Sequence, residues 1–289
     1  MRPSYFVLPE DFKKSVDAAL REDDYKKDVT TRLLVSKQQF ASAQIMAKQS
    51  GCISGLKVAE AVFKKLDPQC KVQFFAEDGD KIFSGKKLLT VRGQAQSILS
   101  AERTALNFLQ HLSGIATITQ QFVQAVKGTK TKICDTRKTV PGLRNLEKYA
   151  VRCGGGTNHR LSLAAMALVK DNHWKLLRNA EMQILDLKKQ LPRQTKILIE
   201  VETDTQLKLA LKLASRAECD IIMLDNFSLP RLKRAVQRIR KSAPKVLIEV
   251  SGGVALQTVR SIAQLGVDRI SVGAITHSAP AIDISLELS

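Results

Sequence analysis

The sequence has no long apolar run. Its longest apolar stretches, such as residues 161–169 and 221–224, fall far short of the roughly 18 residues that a membrane helix needs. The first residues place a short apolar patch directly before acidic residues, unlike the charged and apolar regions of a secretion signal. We therefore expect no membrane span and a cytoplasmic location.

Cysteine, histidine and aromatic residues are scarce. The five cysteines, at positions 52, 70, 134, 153 and 219, are odd in number, widely spaced and never in a CxxC pair. This spacing argues against disulfide frameworks, zinc sites and redox motifs. The four histidines show no metal-ligand spacing, and no P-loop or nucleophile elbow is present.

Basic residues are in excess. The formal net charge is +18, and most of the surplus lies beyond Ile115. Such a surplus fits nucleic-acid binding, attraction of anionic substrates, or a solvated basic surface. The most basic helix candidate, residues 228–241, has apolar residues at helical spacing and its charges on the opposite face, which is typical of a solvated outer helix. Aromatic residues form only 5% of the chain and do not alternate with basic ones, so we expect no nucleic-acid partner.

From about residue 130 onward, short apolar runs alternate with amphipathic segments. Strands that are apolar along their whole length, each followed by a helix, predict a parallel sheet covered by helices. A barrel or a doubly wound sheet satisfies this pattern. Residues 1–115 differ, with strands predicted in FASAQIMAK, KVQFFAEDG and KKLLTVRG and a helix over 95–114, which indicates a separate α+β domain. The strands predicted in the second part are KICDT, ALVKDN, KILIEVET, DIIMLDN, KVLIEVSGG and DRISVGAIT.

Each of these six strands ends in a polar residue or a glycine. In an α/β barrel the active site lies at the carboxyl ends of the strands, with a phosphate site near the last two loops. The glycines of residues 251–253 and 272–274 follow the last two strands, where unobstructed backbone N–H groups can bind phosphate. The six end residues are Asp135, Lys170, Glu202, Asp225, Ser251 and Gly273.

Cationic residues collect in the loops of the same predicted edge. Arg137, Lys138, Arg160 and Lys170 lie there, with His159 adjacent. Arginine binds carboxylates and phosphates bidentately, whereas lysine supplies a movable point charge. The set therefore predicts a small substrate with several negative charges, such as a dicarboxylate together with a phosphorylated cosubstrate. Glu202 and Asp225, on the other side, suggest Mg²⁺ or ribose contacts, or a simple charge balance for nearby lysines.

Blocks of the sequence resemble one known family. The segments ERTALNFLQHLSGIAT, DTRKTVPGLRNLEKYAVRCGGGTNHR, LVKDNH, IEVE, IIMLDNF, IEVSGGV and ISVGAITHS follow one another over nearly the whole chain as they do in quinolinate phosphoribosyltransferases. The resemblance implies that quinolinate and 5-phosphoribosyl 1-diphosphate condense to nicotinate mononucleotide, with release of CO₂ and diphosphate, in NAD biosynthesis. It also implies Mg²⁺ as cofactor and no redox cofactor.

The resemblance further implies an N-terminal α/β sandwich, residues 1–115, and an incomplete α/β (TIM-like) barrel, residues 116–274. Residues 275–289 are expected to pack back on the N-terminal domain. The resemblance also implies a homodimer or a higher oligomer, in which Arg103 would reach into the partner subunit's site.

Roles in the site follow from the same resemblance. Arg137, His159, Arg160 and Lys170 would hold the quinolinate carboxylates, and Lys138 the diphosphate. Glu202 and Asp225 would contact the ribose and Mg²⁺, with Lys138, Lys170, Glu202 and Asp225 as the catalytic residues. The full substrate-binding set is Arg103, Thr136, Arg137, Lys138, His159, Arg160, Lys170, Glu202, Asp225, Ser251, Gly252, Gly253, Val272, Gly273 and Ala274.

Two alternatives compete with this interpretation. A related enzyme with the same fold could use another acceptor, although Arg137, the NHR motif and Lys170 favour a dicarboxylate. A basic nucleic-acid-binding protein is the other alternative, and it predicts an affinity that falls steeply with salt concentration. Ser162 and Ala165 stand where glycine and aspartate are common in the family.

Overall fold

A computed structural model describes residues 7–289 of the chain, so the expectation about its first residues lies partly outside the described part. Two compact units are present: one contains the residues up to 120 together with 138–156 and 274–289, and the other contains 121–137 and 157–273. The elements in chain order are α1 Phe12–Glu22, α2 Val29–Leu34, β1 Phe40–Ala47, β2 Gly51–Cys52, α3 Leu56–Leu66, β3 Lys71–Phe74, β4 Lys81–Ile82, β5 Lys87–Gln94, α4 Ala95–Ala125, β6 Lys132–Cys134, α5 Arg144–Cys153, β7 Ala167–Val169, α6 Asp171–Leu176, α7 Ala180–Gln190, β8 Ile197–Val201, α8 Asp204–Ser215, β9 Ile221–Asp225, α9 Leu229–Ser242, β10 Leu247–Ser251, α10 Leu256–Ala263, β11 Arg269–Ser271, α11 Ala274–His277 and β12 Ile284–Leu288.

The first unit is built on an antiparallel sheet of order β12-β1-β5-β3. Along β1 every second residue from Ala43 to Ala47 is buried, which gives the sheet one apolar face. Helix α3 buries Val58, Val62 and Phe63 and packs against β5. The last strand, β12, pairs with β1 from the other end of the chain. The predicted α+β character of this part of the chain is confirmed, and its sheet is antiparallel.

Helix α4 does not end where the sequence indicated. The sequence predicts Gly114 as its last residue, but the helix continues to Ala125. A Cβ on Gly114 would lie 2.1 Å from the backbone oxygen of Pro280 and 3.2 Å from the Cα of Ala281. Glycine is therefore needed inside the helix because another segment of backbone crosses it, and not because the helix stops there.

The glycines after α5 have a packing role. A Cβ on Gly154 would lie 2.4 Å from the backbone oxygen of Ala116, and one on Gly156 would lie 2.7 Å from Cγ2 of Thr119. Both contacts are to α4 in the same unit. The CGGG segment thus lets α5 end close against α4.

The second unit contains a six-stranded parallel sheet of order β6-β11-β10-β9-β8-β7. Residue 157 extends it beyond β6 through a parallel bridge to Cys134. Within the described residues β6 and β7 are not neighbours, so the sheet is open, as an incomplete barrel requires. One face packs Leu198, Ile221 and Met223 together, and α8 packs against β8. All six predicted strands are present, and the predicted fold class is confirmed.

Helix α9 has the predicted two-faced pattern. It buries Leu232, Ala235, Val236 and Ile239, while its basic residues lie on the remaining surface. Ser228 occupies the N-cap position, but its side chain makes no capping hydrogen bond. No helix within residues 7–289 is long and apolar enough to cross a bilayer.

Candidate active site

The carboxyl ends of four adjacent strands carry the polar residues predicted from the sequence. Lys170 follows β7, Glu202 follows β8, and Asp225 and Ser251 end β9 and β10. Ser251 lies in register with Asp225, and its Oγ donates a 2.6 Å hydrogen bond to Oδ1 of that carboxylate. Because parallel strands all point the same way, these residues lie at one edge of the sheet.

The turn after β10 needs glycine. Gly252 and Gly253 have φ values of +85° and +60°, and both residues are exposed. A Cβ on Gly252 would lie 2.2 Å from Oδ1 and 2.7 Å from the backbone nitrogen of Asn226. The turn therefore presents bare backbone beside Asp225, which suits a phosphate. In the other predicted phosphate loop, the N–H of Val272 donates to the backbone oxygen of Cys134 at 2.9 Å and so belongs to the sheet.

Two arginine side chains lie close enough to influence each other. Burial, and next the positive charge of Arg137, lower the pKa of Arg160 below its ordinary value of 12.5. Nη1 of Arg160 donates to the backbone oxygen of Met166 at 2.9 Å. Arg137 and Thr136 are half-buried where the chain leaves β6. Like charges held this close favour an anion that binds both of them.

Buried acidic residues support this edge from within the unit. Asp135 is fully buried, and its two carboxylate oxygens accept hydrogen bonds from the backbone N–H of His159 at 2.8 Å and from Nδ2 of Asn158 at 2.6 Å. Glu249 is also fully buried on β10. The sequence showed both as charged residues at or near the ends of apolar strands, but our predicted site did not include them.

Glu200 is a further residue that our predicted site omitted. Its side chain lies on β8 two residues before Glu202, on the same face of the strand. Burial, followed by the charges of Asp225 and Asp171, raises the pKa of Glu200 from 4.5 to about 7. Glu200 therefore changes protonation near neutral pH at the edge that carries the candidate site.

This raised pKa makes a prediction about stability. The folded state holds the Glu200 proton more tightly than the unfolded chain does. The free energy of unfolding therefore falls as pH rises from 4.5 to about 7, and this loss of stability is fully present above that range. Glu200→Gln removes the ionisable group. We expect its Tm to match that of the wild type at pH 4.5 and to exceed it at pH 8, measured by calorimetry in both buffers. Glu202→Gln, at an exposed position, is the matched control. The prediction would be contradicted if Glu200→Gln and the wild type differed in Tm by the same amount at both pH values.

Gly273 is the last residue of the second unit, whereas Arg103, Lys138 and Ala274 lie in the first. Arg103 is exposed on α4 and lines a cavity of about 600 Å³ formed with α1 and the loop of residues 140–143. Lys138 is exposed, and its backbone oxygen accepts a 2.7 Å hydrogen bond from Oγ1 of Thr276. The loop that follows is held by buried Glu147, whose carboxylate accepts from the N–H of Val140 at 3.3 Å. Ala274 begins α11.

The acidic residues do not form a metal cage. In the part of the chain that the structure describes, no group of three or more His, Cys, Asp or Glu residues could hold a metal ion. Both oxygens of Asp225 already accept hydrogen bonds, from Ser251 Oγ and from Nδ2 of Asn226. This donor set fits Mg²⁺ that is bound mainly by substrate phosphates, with one or two carboxylates nearby.

The fold and this edge together are typical of one class of protein, the α/β enzymes whose sites lie at the carboxyl ends of a parallel sheet. Comparison with known sequences and structures gives the family. A model of the quinolinate phosphoribosyl transferase C-terminal domain matches residues 115–287, and a model of the N-terminal domain of the same enzymes matches residues 28–113. The chain belongs to the quinolinate phosphoribosyltransferase family.

Individual relatives match along their whole length. The chain is 42% identical over 279 residues to the nicotinate-nucleotide pyrophosphorylase [carboxylating] of Mycobacterium leprae, covering 96% of each chain. It resembles the NadC crystal structure from Streptococcus pyogenes with a TM-score of 0.91 and 38% identity over 99% of both chains. It resembles the structure of the nicotinate-nucleotide pyrophosphorylase of Francisella tularensis with a TM-score of 0.88 and 37% identity over 98% of both chains.

Proposed function

We propose that this protein transfers the phosphoribosyl group of 5-phosphoribosyl 1-diphosphate to quinolinate, giving nicotinate mononucleotide, CO₂ and diphosphate for de novo NAD biosynthesis. One observation carries the proposal: the interacting guanidinium groups of Arg137 and Arg160 lie in the same unit as a strand-end edge with Lys170, two carboxylates and a bare glycine turn. A dicarboxylate matches the cations, and a ribose phosphate matches the carboxylates and the turn.

Each group has a defined task in this proposal. Arg137, Arg160 and Lys170 bind the two carboxylates of quinolinate and so orient its ring nitrogen towards the ribose. Glu202 and Asp225 accept hydrogen bonds from the ribose hydroxyls, and the turn of residues 251–253 donates N–H groups to the 5-phosphate. Lys138 stabilises the departing diphosphate. Binding both substrates in one orientation supplies much of the rate enhancement, because it removes the entropy cost of their encounter.

The bond changes follow from this arrangement. The lone pair of the quinolinate nitrogen forms a bond to ribose C1 while the bond from C1 to the diphosphate oxygen breaks, and cations stabilise the charge that develops on the leaving group. The carbon–carbon bond to the adjacent carboxylate then breaks and releases CO₂. The electron pair left on the ring carbon is stabilised by the neighbouring positive nitrogen and takes up a proton. No electron transfer occurs, so no redox cofactor is required.

Mg²⁺ is proposed as the cofactor. When bound, it neutralises charge on the diphosphate. Glu202 and Asp225 are the residues that would contact it, and the hydrogen bonds to both oxygens of Asp225 favour contact through water or through the diphosphate.

The test of the proposed function is a direct assay. Purified protein is incubated with quinolinate, 5-phosphoribosyl 1-diphosphate and Mg²⁺, and two products are followed: diphosphate, which either acceptor would release, and CO₂ from carboxyl-labelled quinolinate. Nicotinate, which lacks the second carboxylate, is the control acceptor. Turnover of nicotinate in place of quinolinate would favour the related enzyme with another acceptor and would reject the proposal.

We also propose that the enzyme is a homodimer or a higher oligomer in which Arg103 enters the partner's site. Two features of the first unit support this. Arg103 is exposed at the mouth of a cavity, and α2 exposes the apolar side chains of Val29, Leu33 and Leu34, which are 70%, 84% and 79% accessible. Apolar side chains clustered on a short helix are typical of a surface that a second chain covers.

A mixing experiment tests the shared site. Arg103→Ala and Lys170→Ala subunits are each expected to be nearly inactive alone. If each site takes Arg103 from one chain and Lys170 from the other, random mixing through dissociation restores about one quarter of wild-type activity, because half the dimers contain one intact site. The control mixes Lys170→Ala subunits with Arg137→Ala subunits. Because both residues lie in the same unit of one chain, every site lacks one of them, and this mixture should restore no activity. Failure of the first mixture to regain activity after confirmed subunit exchange would reject the shared site.

A further inference from the structure

One arginine side chain contacts both segments that follow β8 and β9. Arg231 lies in the first turn of α9, and its Cζ is 3.7 Å from the centroid of the Phe227 ring. Its Nη2 donates a 3.1 Å hydrogen bond to Oδ1 of Asp204. Phe227 comes two residues after Asp225, and Asp204 comes two residues after Glu202. These two contacts, which we call the Arg231 link, therefore join the segments that carry the two carboxylates.

The first turn of a helix is an unfavourable place for a cation, because the positive end of the helix dipole lies there. Helix α9 has no acidic residue in this turn, and Ser228 makes no capping hydrogen bond. The charge of Arg231 is instead balanced by Asp204 at the start of α8. An ion pair with an exposed carboxylate contributes little by itself, and the side chain of Asp204 is 73% exposed. Stacking on Phe227 orients the guanidinium plane, so less side-chain freedom is lost when the pair forms.

The turn after β8 connects Asp204 firmly to Glu202. Thr203 and Gln206 form a capping box at the start of α8. Oε1 of Gln206 accepts hydrogen bonds from the backbone N–H of Glu202 at 2.8 Å and from that of Thr203 at 3.0 Å. The N–H of Gln206 donates to Oγ1 of Thr203 at 3.2 Å. Because these bonds lie within five consecutive residues, a contact that holds Asp204 also holds the backbone of Glu202.

The segment after β9 is held in a comparable way. Asn226 has φ +55°, and its backbone N–H donates to the backbone oxygen of Ser251 at 3.1 Å. Its Nδ2 donates to Oδ2 of Asp225 at 2.7 Å. The next residue, Phe227, is 9% exposed, so its ring is packed against the protein. A contact that holds this ring therefore also restrains the backbone that carries Asp225.

The two carboxylates lie just beyond the hydrogen-bonded part of the pair of strands β8 and β9. That parallel ladder ends at the pair Val201 and Leu224, one residue before each carboxylate. We propose that Arg231 is a positioning residue that sets the separation of the Glu202 and Asp225 carboxylates. The inference rests on the proposed function, because it takes these two carboxylates as the groups that bind the ribose.

The first test needs no substrate. Hydrogen exchange of full-length Arg231→Ala is compared with that of the wild type. We expect faster exchange in residues 202–206 and 226–228 and unchanged exchange in β10, because only the two linked segments lose a contact. Arg234→Ala, at an exposed position in the same helix, is the matched control and should exchange like the wild type. Unchanged exchange in both segments of Arg231→Ala would show that the link restrains neither of them and would overturn the inference.

The second test measures both Michaelis constants. In Arg231→Ala we expect the KM for 5-phosphoribosyl 1-diphosphate to rise by about tenfold and that for quinolinate to change by less than about twofold, since only the ribose-binding carboxylates are displaced. Arg231→Lys keeps the charge but not the planar guanidinium, so its KM should be intermediate. Arg234→Ala should have wild-type constants. An unchanged KM for 5-phosphoribosyl 1-diphosphate, or an equal rise in both constants, would reject the positioning role. Failure of the proposed function would appear separately, as wild-type protein without activity, and the inference would fall with it.

A double variant examines whether Arg231 acts through Asp204. Asp204→Asn keeps the size of an exposed side chain and removes its charge. It should raise the KM for 5-phosphoribosyl 1-diphosphate by about threefold in the wild-type background and add little to Arg231→Ala, because the contact is already lost there. Thermal unfolding of each variant shows that it is folded. Effects that multiply in the double variant would mean that the two residues act independently and would contradict the proposed link.

Discussion

Lys170→Ala and Arg137→Ala are each expected to reduce kcat/KM for quinolinate by about two orders of magnitude or more, as removal of one charge partner does in other preorganised sites. Lys170 follows β7 at the edge shared with Glu202 and Asp225, and Arg137 acts on Arg160. In each variant one substrate carboxylate would lose a charge-assisted contact in a site that keeps its negative residues. The measurement is steady-state kinetics with both substrates varied.

The matched control is Lys175→Ala. Lys175 lies on α6, five residues after Lys170, and its Nζ donates a 3.4 Å hydrogen bond to Oδ1 of Asn172 on the same helix. This variant removes the same charge a short distance away and should keep near-normal kinetics. Near-normal kinetics in both Lys170→Ala and Arg137→Ala would refute the assignment of the site.

Gly114→Ala is expected to lower the free energy of unfolding more than any other substitution named above. Within a helix, alanine is favoured over glycine by about 1 kcal/mol, so propensity alone predicts a more stable protein. The new Cβ, however, would lie 2.1 Å from the backbone oxygen of Pro280, and backbone atoms cannot move aside as a flexible side chain does. Overpacking of this kind costs about 1–3 kcal/mol or more, so the steric effect should exceed the gain in propensity. Chemical denaturation should show a lower midpoint, and hydrogen exchange should be faster in β12, which follows the displaced segment.

Gly266→Ala separates the steric effect from backbone strain. Gly266 has φ +81°, and no heavy atom lies within 4 Å of its built Cβ. This variant should lose only about 1 kcal/mol of stability, which is the cost of a side chain on a residue in the left-handed conformation. A Gly114→Ala protein as stable as the wild type would mean that residues 280–281 do not cross α4 as closely as the structure has them.

Local sequence pattern predicted the strands of both units. Residues 221–224 are apolar at every position, and in residues 197–201 only Glu200 is polar, as is typical of strands with both faces covered. Once the sheet is parallel, its geometry places Lys170, Glu202, Asp225 and Ser251 at one edge, since each is the last residue of its strand or the first residue after it. The edge of the candidate site could therefore be predicted without coordinates.

Contacts between distant segments could not be predicted in this way. Gly114 reads as a helix stop because nothing near it in the chain reveals that Pro280 crosses there. The raised pKa of Glu200 depends on burial and on the charge of Asp225, which lies on another strand. The close contact at Gly114 and the raised pKa of Glu200 both arise from packing between segments that are distant in the chain, so neither could be predicted from local sequence pattern.

The pairing of β12 with β1 has a consequence for how the chain is made. Residues 284–288 complete the edge of a sheet whose neighbouring strand spans residues 40–47. During synthesis, β1 must therefore wait until residues 284–288 have left the ribosome before that edge is covered. An exposed strand edge can pair with other chains. A nascent chain in which β1 and β5 have already paired thus still presents one open strand edge, and aggregation at that edge becomes less favourable once β12 has docked.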